Sequence, residues 1–496
     1  MYNEFGDNFY MRKNIKKICI VGGGTSGCIS ALILKTTFPQ KTIEIIESPN
    51  VPIVGVGESS TEHWSEFCRF VGIDQLSVIL NANATFKIGV YFKDWSKEDF
   101  MHSIDSRYAS VRGSYFYNYG YIISNEIPVS GMQSPKTWEN EVSLSNFNNY
   151  NDSPTNQYHF DTYALNKFLH RECLKRDILT IEDELVNINI CPETGDIKSV
   201  SSQTHTYQSD FFIDCTGFSR FLMGKTYSIP WKSYSEYLPL NSAIAFPTGE
   251  MEEYNKYTLS TARNAGWSWT IPVQGRTGNG YVYSDDYITK DDAHQEMEEA
   301  YHQSLEIAKE FKFDPGRLEK AWHKNCYAVG LSQSFVEPLE ATSIGSIIQQ
   351  MFCFTHYLPS YDVEGCNENV NKIFDNIVDY IQAHYLVKRE DTKFWKDIKY
   401  NLKLTPNLQK YLEIWKNRLP LDIDITCPWK MFSAVNYIPI LYGLGWFDVK
   451  KIREEFLTYN LSDKSKEQLD MIVQEENKEF WLSHKKFIGG IKNNGK

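Results

Sequence analysis

Residues 18–47 read ICIVGGGTSGCISALILKTTFPQKTIEIIE, and this stretch decides the fold. The apolar run 18–21 predicts a short buried strand, the glycines within 22–27 a tight turn, residues 28–37 a helix and residues 42–47 a second strand. A strand, a glycine-rich turn, a helix and a parallel strand make a β-α-β unit. The sequence therefore predicts an α/β fold with a Rossmann-type domain.

The turn has the spacing of a dinucleotide-binding site. Its glycines satisfy Gly-x-Gly-x-x-Gly between a strand and a helix, where they let backbone N–H groups approach a diphosphate at the helix N-terminus. An acidic residue at the end of the second strand can accept a hydrogen bond from a ribose hydroxyl. The candidate cofactor-binding residues are Gly22, Gly23, Gly24, Thr25, Ser26, Gly27 and Glu47.

A later strand favours a flavin over a nicotinamide cofactor. Residues 213–217 read IDCTG, a strand that ends in Asp and Gly, as where flavoproteins of this kind approach the dinucleotide again. No second Gly-x-Gly-x-x-Gly occurs in a matching context, so the sequence offers no NAD(P)H site. We therefore expect FAD, supplied as FADH2 by a separate flavin reductase.

The composition of the 496 residues excludes several classes of partner. Lys and Arg number 51 against 63 Asp and Glu, a net charge of -12, so nucleic acid and anionic membranes are not expected partners. The cysteines form no Cys-x-x-Cys pair and the histidines lack ligand spacing, so we expect free thiols and no metal. With no signal or spanning segment evident, we expect a cytoplasmic protein, and homo-oligomerisation is left open.

The rest of the chain divides by composition. Two segments, 97–157 and 221–290, are expected to insert loops and a sheet that build substrate walls. The expected units are a polar leader over 1–16, an FAD-binding core over 17–358, a mainly helical substrate-side region over 359–480 and a flexible tail over 481–496.

Several single elements can also be predicted. Asp161 is the expected N-cap of a helix, and residues 211–214 predict a buried strand. A turn at 275–279 predicts a hairpin, and residues 291–311 predict a charged amphipathic helix. A further helix is expected over 343–357.

A second stretch points to a family. Residues 266–272 read GWSWTIP, which resembles the Gly-Trp-x-Trp-x-Ile-Pro signature of the flavin-dependent halogenases, the group that includes the tryptophan halogenases. The resemblance covers residues 17–358 well and the helical remainder loosely. It extends, in the family's order, to GVGES at 55–59, FK at 86–87, YHFD at 158–161 and GLSQSFVEPLEAT at 330–342.

The resemblance implies an enzyme that uses reduced FAD and oxygen to turn halide into hypohalous acid, and then halogenates an electron-rich aromatic substrate of indole or phenol type. Lys87 is the matching lysine. Its ammonium could polarise hypohalous acid, or its amine could itself be halogenated. Glu340 is the matching carboxylate, which could steady the halogenating species or take the proton from the cationic arene.

The resemblance also implies residues around the flavin. Backbone N–H groups of Thr342 and Ser343, at a helix start, would hold the halide. Trp267 and Trp269, which share one face of a strand with Ile271, would shield the flavin. The remaining cofactor-binding residues implied in this way are Ser59, Val186, Leu331 and Ile344.

Three positions depart from the family pattern. Ala341 and Ser343 stand where tryptophan halogenases usually have Ser and Gly, which leaves the halide preference open. Tyr437 falls where the family often has a tryptophan that stacks on the indole substrate. We therefore expect a more open pocket that accepts phenols, anilines or indoles.

Two other functions stay open at this point. A flavin-dependent aromatic hydroxylase shares the dinucleotide domain, but its substrate must reach the flavin, and its product does not depend on halide. A non-redox binding protein with the same fold would take up no FAD.

Overall fold

The computed structural model describes residues 14–53, 55, 58–103, 115–127, 141–143, 157–478 and 481–494. Most of the expected leader and much of the 97–157 insertion lie outside these residues. No helix within them is long and apolar enough to cross a membrane.

The strands and helices are numbered in chain order. The strands are β1 Lys17–Val21, β2 Thr42–Glu47, β3 Glu58–Ser59, β4 Thr85–Lys87, β5 Gly89–Lys93, β6 Phe100–Ser103, β7 Glu141–Ser143, β8 Gln157–Phe160, β9 Leu179–Glu182, β10 Asn187–Ile190, β11 Ile197–Ser201, β12 Thr206–Gln208, β13 Phe211–Asp214, β14 Trp231–Ser233, β15 Ser242–Thr248, β16 Tyr257–Arg263, β17 Gly266–Val273, β18 Arg276–Tyr283, β19 Lys309–Lys312, β20 Gly316–Leu318, β21 Trp322–His323, β22 Cys326–Ala328, β23 Ser334–Phe335 and β24 Trp481–Ser483. The helices are α1 Thr25–Thr37, α2 His63–Val71, α3 Gln75–Asn81, α4 Tyr115–Ser124, α5 Thr162–Leu174, α6 Lys290–Tyr301, α7 Thr342–Tyr357, α8 Val363–Ala383, α9 Lys393–Asn401, α10 Pro406–Trp415, α11 Ala434–Gly443, α12 Val449–Thr458, α13 Ser462–Glu476 and α14 His484–Asn494.

The β-α-β unit belongs to a six-stranded sheet with the order β21-β22-β13-β1-β2-β9. Strand β1 pairs in parallel with β2 on one side and with β13 on the other, which confirms the α/β prediction. Helix α1 begins at Thr25, three residues before the predicted start, because the backbone is already helical after the extended N-cap Gly24. The predicted strand at 211–214 and the Asp161 N-cap of α5 are both present.

A second sheet of seven strands, β19-β15-β18-β17-β16-β5-β6, carries the two tryptophans of the halogenase-like signature. Strands β17 and β18 form the predicted hairpin, but the turn is tighter than predicted: Gln274 and Gly275 alone separate them. Gly275 has φ +89°, a left-handed conformation that suits glycine and permits the short connection.

The predicted helix over 291–311 is wrong in its second half. Helix α6 ends at Tyr301, His302 adopts a left-handed φ of 53°, and β19 then joins the edge of the seven-stranded sheet beside β15. Phe311 and Phe313 alternate with lysine there, a period of two that favours a strand.

The C-terminal part is mainly helical, as predicted, but its end is packed where a flexible tail was expected. Strand β24 pairs with β7, and α14 follows directly, with His484 fully buried. Burial of Phe487 and Ile488 explains why the segment is held, since both join the main apolar core that links the sheets to the helices.

Candidate active site

The glycine-rich turn lies where β1, β2 and β13 end side by side. A Cβ on Gly22 would lie 2.2 Å from the carbonyl oxygen of Cys215, and one on Gly23 would lie 1.9 Å from Glu47 Oε2. Only glycine therefore lets the backbone run this close to the neighbouring strand ends.

The start of α1 has the features of a diphosphate site. The N-cap Gly24 makes no side-chain capping bond, and a Cβ there would meet nothing within 4 Å. Thr25 Oγ1 is buried without a hydrogen-bond partner among the described residues. Open space, free helix N–H groups and an unused hydroxyl fit the phosphates of a dinucleotide such as FAD.

Glu47 stands at the end of β2, in the position of a ribose acceptor. Burial raises the pKa of its carboxyl, while His170, whose Nε2 lies 3.4 Å from Glu47 Oε2, works in the opposite direction. His170 Nε2 also lies 2.8 Å from the Gly23 carbonyl oxygen, so the ring ties Glu47 to the turn.

Asp214, at the end of β13, acts as a structural anchor. Its Oδ2 accepts from the backbone N–H groups of Leu222 and Met223, and its Oδ1 accepts from Thr216 and Ser332. With the Asp214 oxygens engaged in this way, the part of this strand end that lies against the glycine-rich turn is the Cys215 backbone, beside Gly22.

A cavity of about 170 Å³ lies between the seven-stranded sheet and the start of α7. Its walls are mostly apolar, with rings such as Phe311, Phe313 and Phe335 on one side. The cavity brings together eight residues that the sequence assigned to the site, from four separate segments: Ser59, Trp267, Trp269, Leu331, Glu340, Thr342, Ser343 and Ile344.

The two tryptophans form one wall of this cavity, together with Ile271. Their ring centroids are 6.2 Å apart with planes inclined at 58°. Gly280 lies opposite Trp269 in β18, and a Cβ on it would come within 2.1 Å of the Trp269 ring. The position of the ring therefore depends on a glycine in the neighbouring strand.

Lys87 does not line the cavity but lies close to it. Its side chain is fully buried on β4, and its Nζ donates to the carbonyl oxygen of Ser60, 2.9 Å away and next to the cavity residue Ser59. Burial lowers the pKa of Lys87 to about 8, against the attraction of Glu340 and Glu62. The ammonium and amine forms are thus both accessible near neutral pH.

Glu340 is held in a strained turn just before α7. Its φ is 64° and that of Ala341 is 59°, two successive left-handed residues that are not glycine. Oε1 lies 2.7 Å from His102 Nδ1 and 3.3 Å from His384 Nε2. Burial opposes ionisation of Glu340, but the two histidines outweigh it and hold the pKa well below its usual range.

The second oxygen of Glu340 is unused. Oε2 is buried and has no hydrogen-bond partner within the part of the chain that the structure describes, although Glu340 lines the cavity. A carboxylate with one oxygen clamped and the other free is ready to accept a proton or a hydrogen bond from a substrate.

Sequence reasoning missed the two histidines. His102 lies on β6 within the 97–157 insertion, and His384 follows α8, so no local spacing connects either with Glu340. His384 Nδ1 also faces the carbonyl oxygen of Tyr380 at 2.9 Å. The two ring nitrogens of His384 thus each face an oxygen that only accepts.

A second buried carboxyl was also missed. Glu337 is fully buried, and its Oε2 accepts from the hydroxyl of Tyr385 at 2.5 Å. Burial raises the pKa of Glu337 to about 7. Glu337 was visible in the motif at 330–342, but its isolation from charged partners could not be read from the sequence.

Two predicted residues stay apart from these clusters. Val186 is exposed, in the segment after β9 whose Asp183 N–H donates to the Glu47 carbonyl oxygen at 2.9 Å. Tyr437 is fully buried on α11, between Tyr380 and Trp415, with ring centroids 5.0 Å from each. Tyr437 thus lies behind Tyr380 as seen from Glu340.

The chain is similar to known proteins along most of its length. The sequence model of the family described as tryptophan halogenase matches residues 17–453. The tryptophan 6-halogenase SttH of Streptomyces toxytricini is 30% identical over 475 residues, which cover 87% of this chain and 90% of that protein.

Solved structures show the same fold. A tryptophan halogenase from Shewanella frigidimarina superposes with a TM-score of 0.85 at 23% identity, over 98% of this chain and 99% of the other. BrvH, a flavin-dependent halogenase from Brevundimonas sp., gives a TM-score of 0.83 at 24% identity, over 97% of this chain and 99% of that one. By the family match along most of its length, the chain belongs to the tryptophan halogenase family and is a flavin-dependent halogenase.

Proposed function

We propose that this enzyme halogenates an electron-rich indole or phenol with hypohalous acid, and that Lys87 and Glu340 direct the transfer of the halogen. The hypohalous acid arrives through the cavity beside them. The observation that carries the proposal is the position of Glu340, which lines the cavity with a free Oε2 and attracts the buried ammonium of Lys87. Bound FADH2, with oxygen and halide, would supply the hypohalous acid.

The chain's own residues would bind FAD through the glycine-rich turn. Gly22 to Gly24 allow the diphosphate to approach α1, Thr25 Oγ1 is free to donate to it, and Glu47 accepts from the ribose. The apolar cavity walls and the Trp267 and Trp269 rings would keep the aromatic substrate away from the flavin and exclude water.

The halide would be held at the start of α7. Thr342 and Ser343 line the cavity at a helix N-terminus whose N-cap, Ala341, makes no side-chain capping bond. Free backbone N–H groups and the positive end of the helix attract an anion there. The methyl of Ala341 leaves this turn without a competing hydroxyl.

Halogen transfer would then be an electrophilic aromatic substitution. The ring carbon attacks the halogen and the halogen–oxygen bond breaks, while the Lys87 ammonium transfers a proton to the departing oxygen, so that water is released and Lys87 is left as the amine. Glu340 Oε2 takes the proton from the cationic ring and restores its aromaticity.

The test is to supply FADH2, through a separate flavin reductase, with oxygen and chloride, bromide or iodide to a panel of indoles, phenols and anilines. We expect halogenated products by mass spectrometry, and none without halide. Oxygenated products that form without halide would instead identify a hydroxylase, and a protein that takes up no FAD would be a binding protein.

A further inference from the structure

The strand that carries Lys87 is short and lies at the edge of its sheet. Strand β4 has β8 on one side only, in the order β3-β8-β4. The Phe86 N–H, one residue before Lys87, points away from β8 and donates to His484 Nε2 at 3.0 Å. A side chain from the C-terminal segment thus takes the place that a neighbouring strand would occupy.

Besides the Phe86 N–H, two contacts fix the ring of His484. Its Nδ1 lies 3.1 Å from the Tyr254 carbonyl oxygen, so Nδ1 carries the proton and Nε2 is the acceptor. Its plane stacks on the Phe86 ring with a centroid distance of 5.5 Å and an angle of 25°. Full burial lowers the pKa of His484 to about 3, so the neutral acceptor form persists at working pH.

A different segment, the residues just before β16, holds the other side of Lys87. The Ile88 N–H donates to the Lys256 carbonyl oxygen at 2.7 Å. Lys256 Nζ in turn bonds the carbonyl oxygen of Glu141 on β7, the strand that pairs with β24. On the two sides of Lys87, the Phe86 N–H is therefore bonded to the C-terminal segment through His484, and the Ile88 N–H is bonded to Lys256 before β16.

We propose that His484 is a positioning residue for halogen transfer: by accepting the Phe86 N–H it fixes β4, and so holds Lys87 Nζ on the Ser60 carbonyl and towards Glu340. This inference rests on the function proposed for Lys87. His484 neither lines the cavity nor belongs to the glycine-rich turn, so we expect the formation of hypohalous acid not to depend on it.

The test compares two substitutions at one position. The His484→Phe variant keeps a ring to stack on Phe86 but has no acceptor, and the His484→Gln variant restores an amide oxygen. We expect His484→Phe to lower kcat for the aromatic product about 10- to 100-fold with little change in KM, because small displacements of a reacting group have effects of this size. The His484→Gln variant should recover part of the loss.

Trapped hypohalous acid, measured without aromatic substrate, should be the same in both variants and in the wild type. The Lys486→Ala variant is the matched control, since Lys486 is exposed on the same helix turn and should change nothing. An unchanged kcat in His484→Phe, or an equal loss of trapped hypohalous acid, would overturn the proposal.

Two further results distinguish a failure of the His484 proposal from a failure of the proposed function or of folding. If the wild type makes no halogenated product, the proposed function fails before His484 is tested. If His484→Phe does not fold, hydrogen exchange of the wild type decides the question: slow exchange of the Phe86 amide is expected, and fast exchange would contradict the hydrogen bond to His484.

Discussion

Lys87 and Glu340 are buried groups of opposite charge that attract each other. A buried charge costs several kcal/mol unless it is paired and hydrogen-bonded. The Glu340 carboxylate is stabilised by contacts with His102 and His384. The Lys87 ammonium donates to the carbonyl oxygen of Ser60 and has a pKa of about 8. Of these two groups, the lysine is therefore the one whose charge responds to pH in the working range.

We expect the rate of halogen transfer to fall as the pH rises through about 8, because the proposed role of Lys87 needs the ammonium. The measurement is the pH dependence of product formation under saturating FADH2. It should be made with chloride and with bromide, since their hypohalous acids ionise at different pH. A limb that moves with the halide would not belong to Lys87.

Glu337 gives a stability prediction. Its folded pKa of about 7 lies above the usual value of 4.5, so its contribution to folding is complete below about pH 4.5 and is lost as the pH rises through 7. The Glu337→Gln variant does not titrate and can still accept from Tyr385. Relative to the wild type, it should gain up to about 3 kcal/mol between pH 4.5 and 8, measured by denaturant unfolding.

The opposite trend, a wild type that gains stability over Glu337→Gln as the pH rises, would contradict a neutral buried Glu337. Tyr385→Phe offers a control, because it removes the hydroxyl donor without changing the titrating group.

The functional residues that stand in short motifs could be predicted from the sequence. Those that the fold brings to the site from distant parts of the chain were missed. Lys87, Glu340 and the tryptophans stand in short recognisable stretches. His102 and His384 are 238 and 44 residues from Glu340, and neither lies in a periodic or spaced pattern. Only the fold brings β6 and the end of α8 to the same carboxylate.

At the level of elements, β17 and β18 decide the shape of the cavity. The side chains of Trp267 and Trp269 point to one face, as the period of two predicted, but the room for Trp269 comes from Gly280 across the hairpin. That dependence could not be read from either strand alone, since it required the register set by the short turn at Gln274 and Gly275.

The Gly280→Ala variant should therefore displace the Trp269 ring, at a cost of about 1–3 kcal/mol in stability. We expect altered tryptophan fluorescence and less halogenated product per FADH2 consumed. The Gly249→Ala variant is the control, because a Cβ there meets nothing within 4 Å. Equal behaviour of the two variants would show that the Trp269 position is not limiting.

Elements whose sequence pattern suits both a helix and a strand, or whose partners are distant in sequence, were the least predictable. The run 291–311 combines a true helix with a strand, and its charged residues suit an exposed face of either. The strand at 309–312 forms because β15 offers an unpaired edge, which is tertiary information. The segment 481–496 was expected to fray because its partners are also distant in the sequence. They are β7, which pairs with β24, and β4, which bonds His484.

At the scale of the whole molecule, the net charge of -12 does not favour a halide. The cavity counters it locally with a helix start at Thr342 and the buried ammonium of Lys87 close by. Residues from the first hundred positions, the seven-stranded sheet and α7 line this cavity, while His384 contacts Glu340 and His484 contacts β4 from the C-terminal part of the chain. The mature site thus depends on nearly the full length of the chain.

The measurement that tests the account most directly compares the wild type with the Lys87→Ala variant in two assays: aromatic product by mass spectrometry, and hypohalous acid trapped in the absence of aromatic substrate. We predict that Lys87→Ala binds FAD and releases hypohalous acid like the wild type, but loses at least about 100-fold in aromatic product. Aromatic halogenation by Lys87→Ala at a rate near that of the wild type would contradict the account.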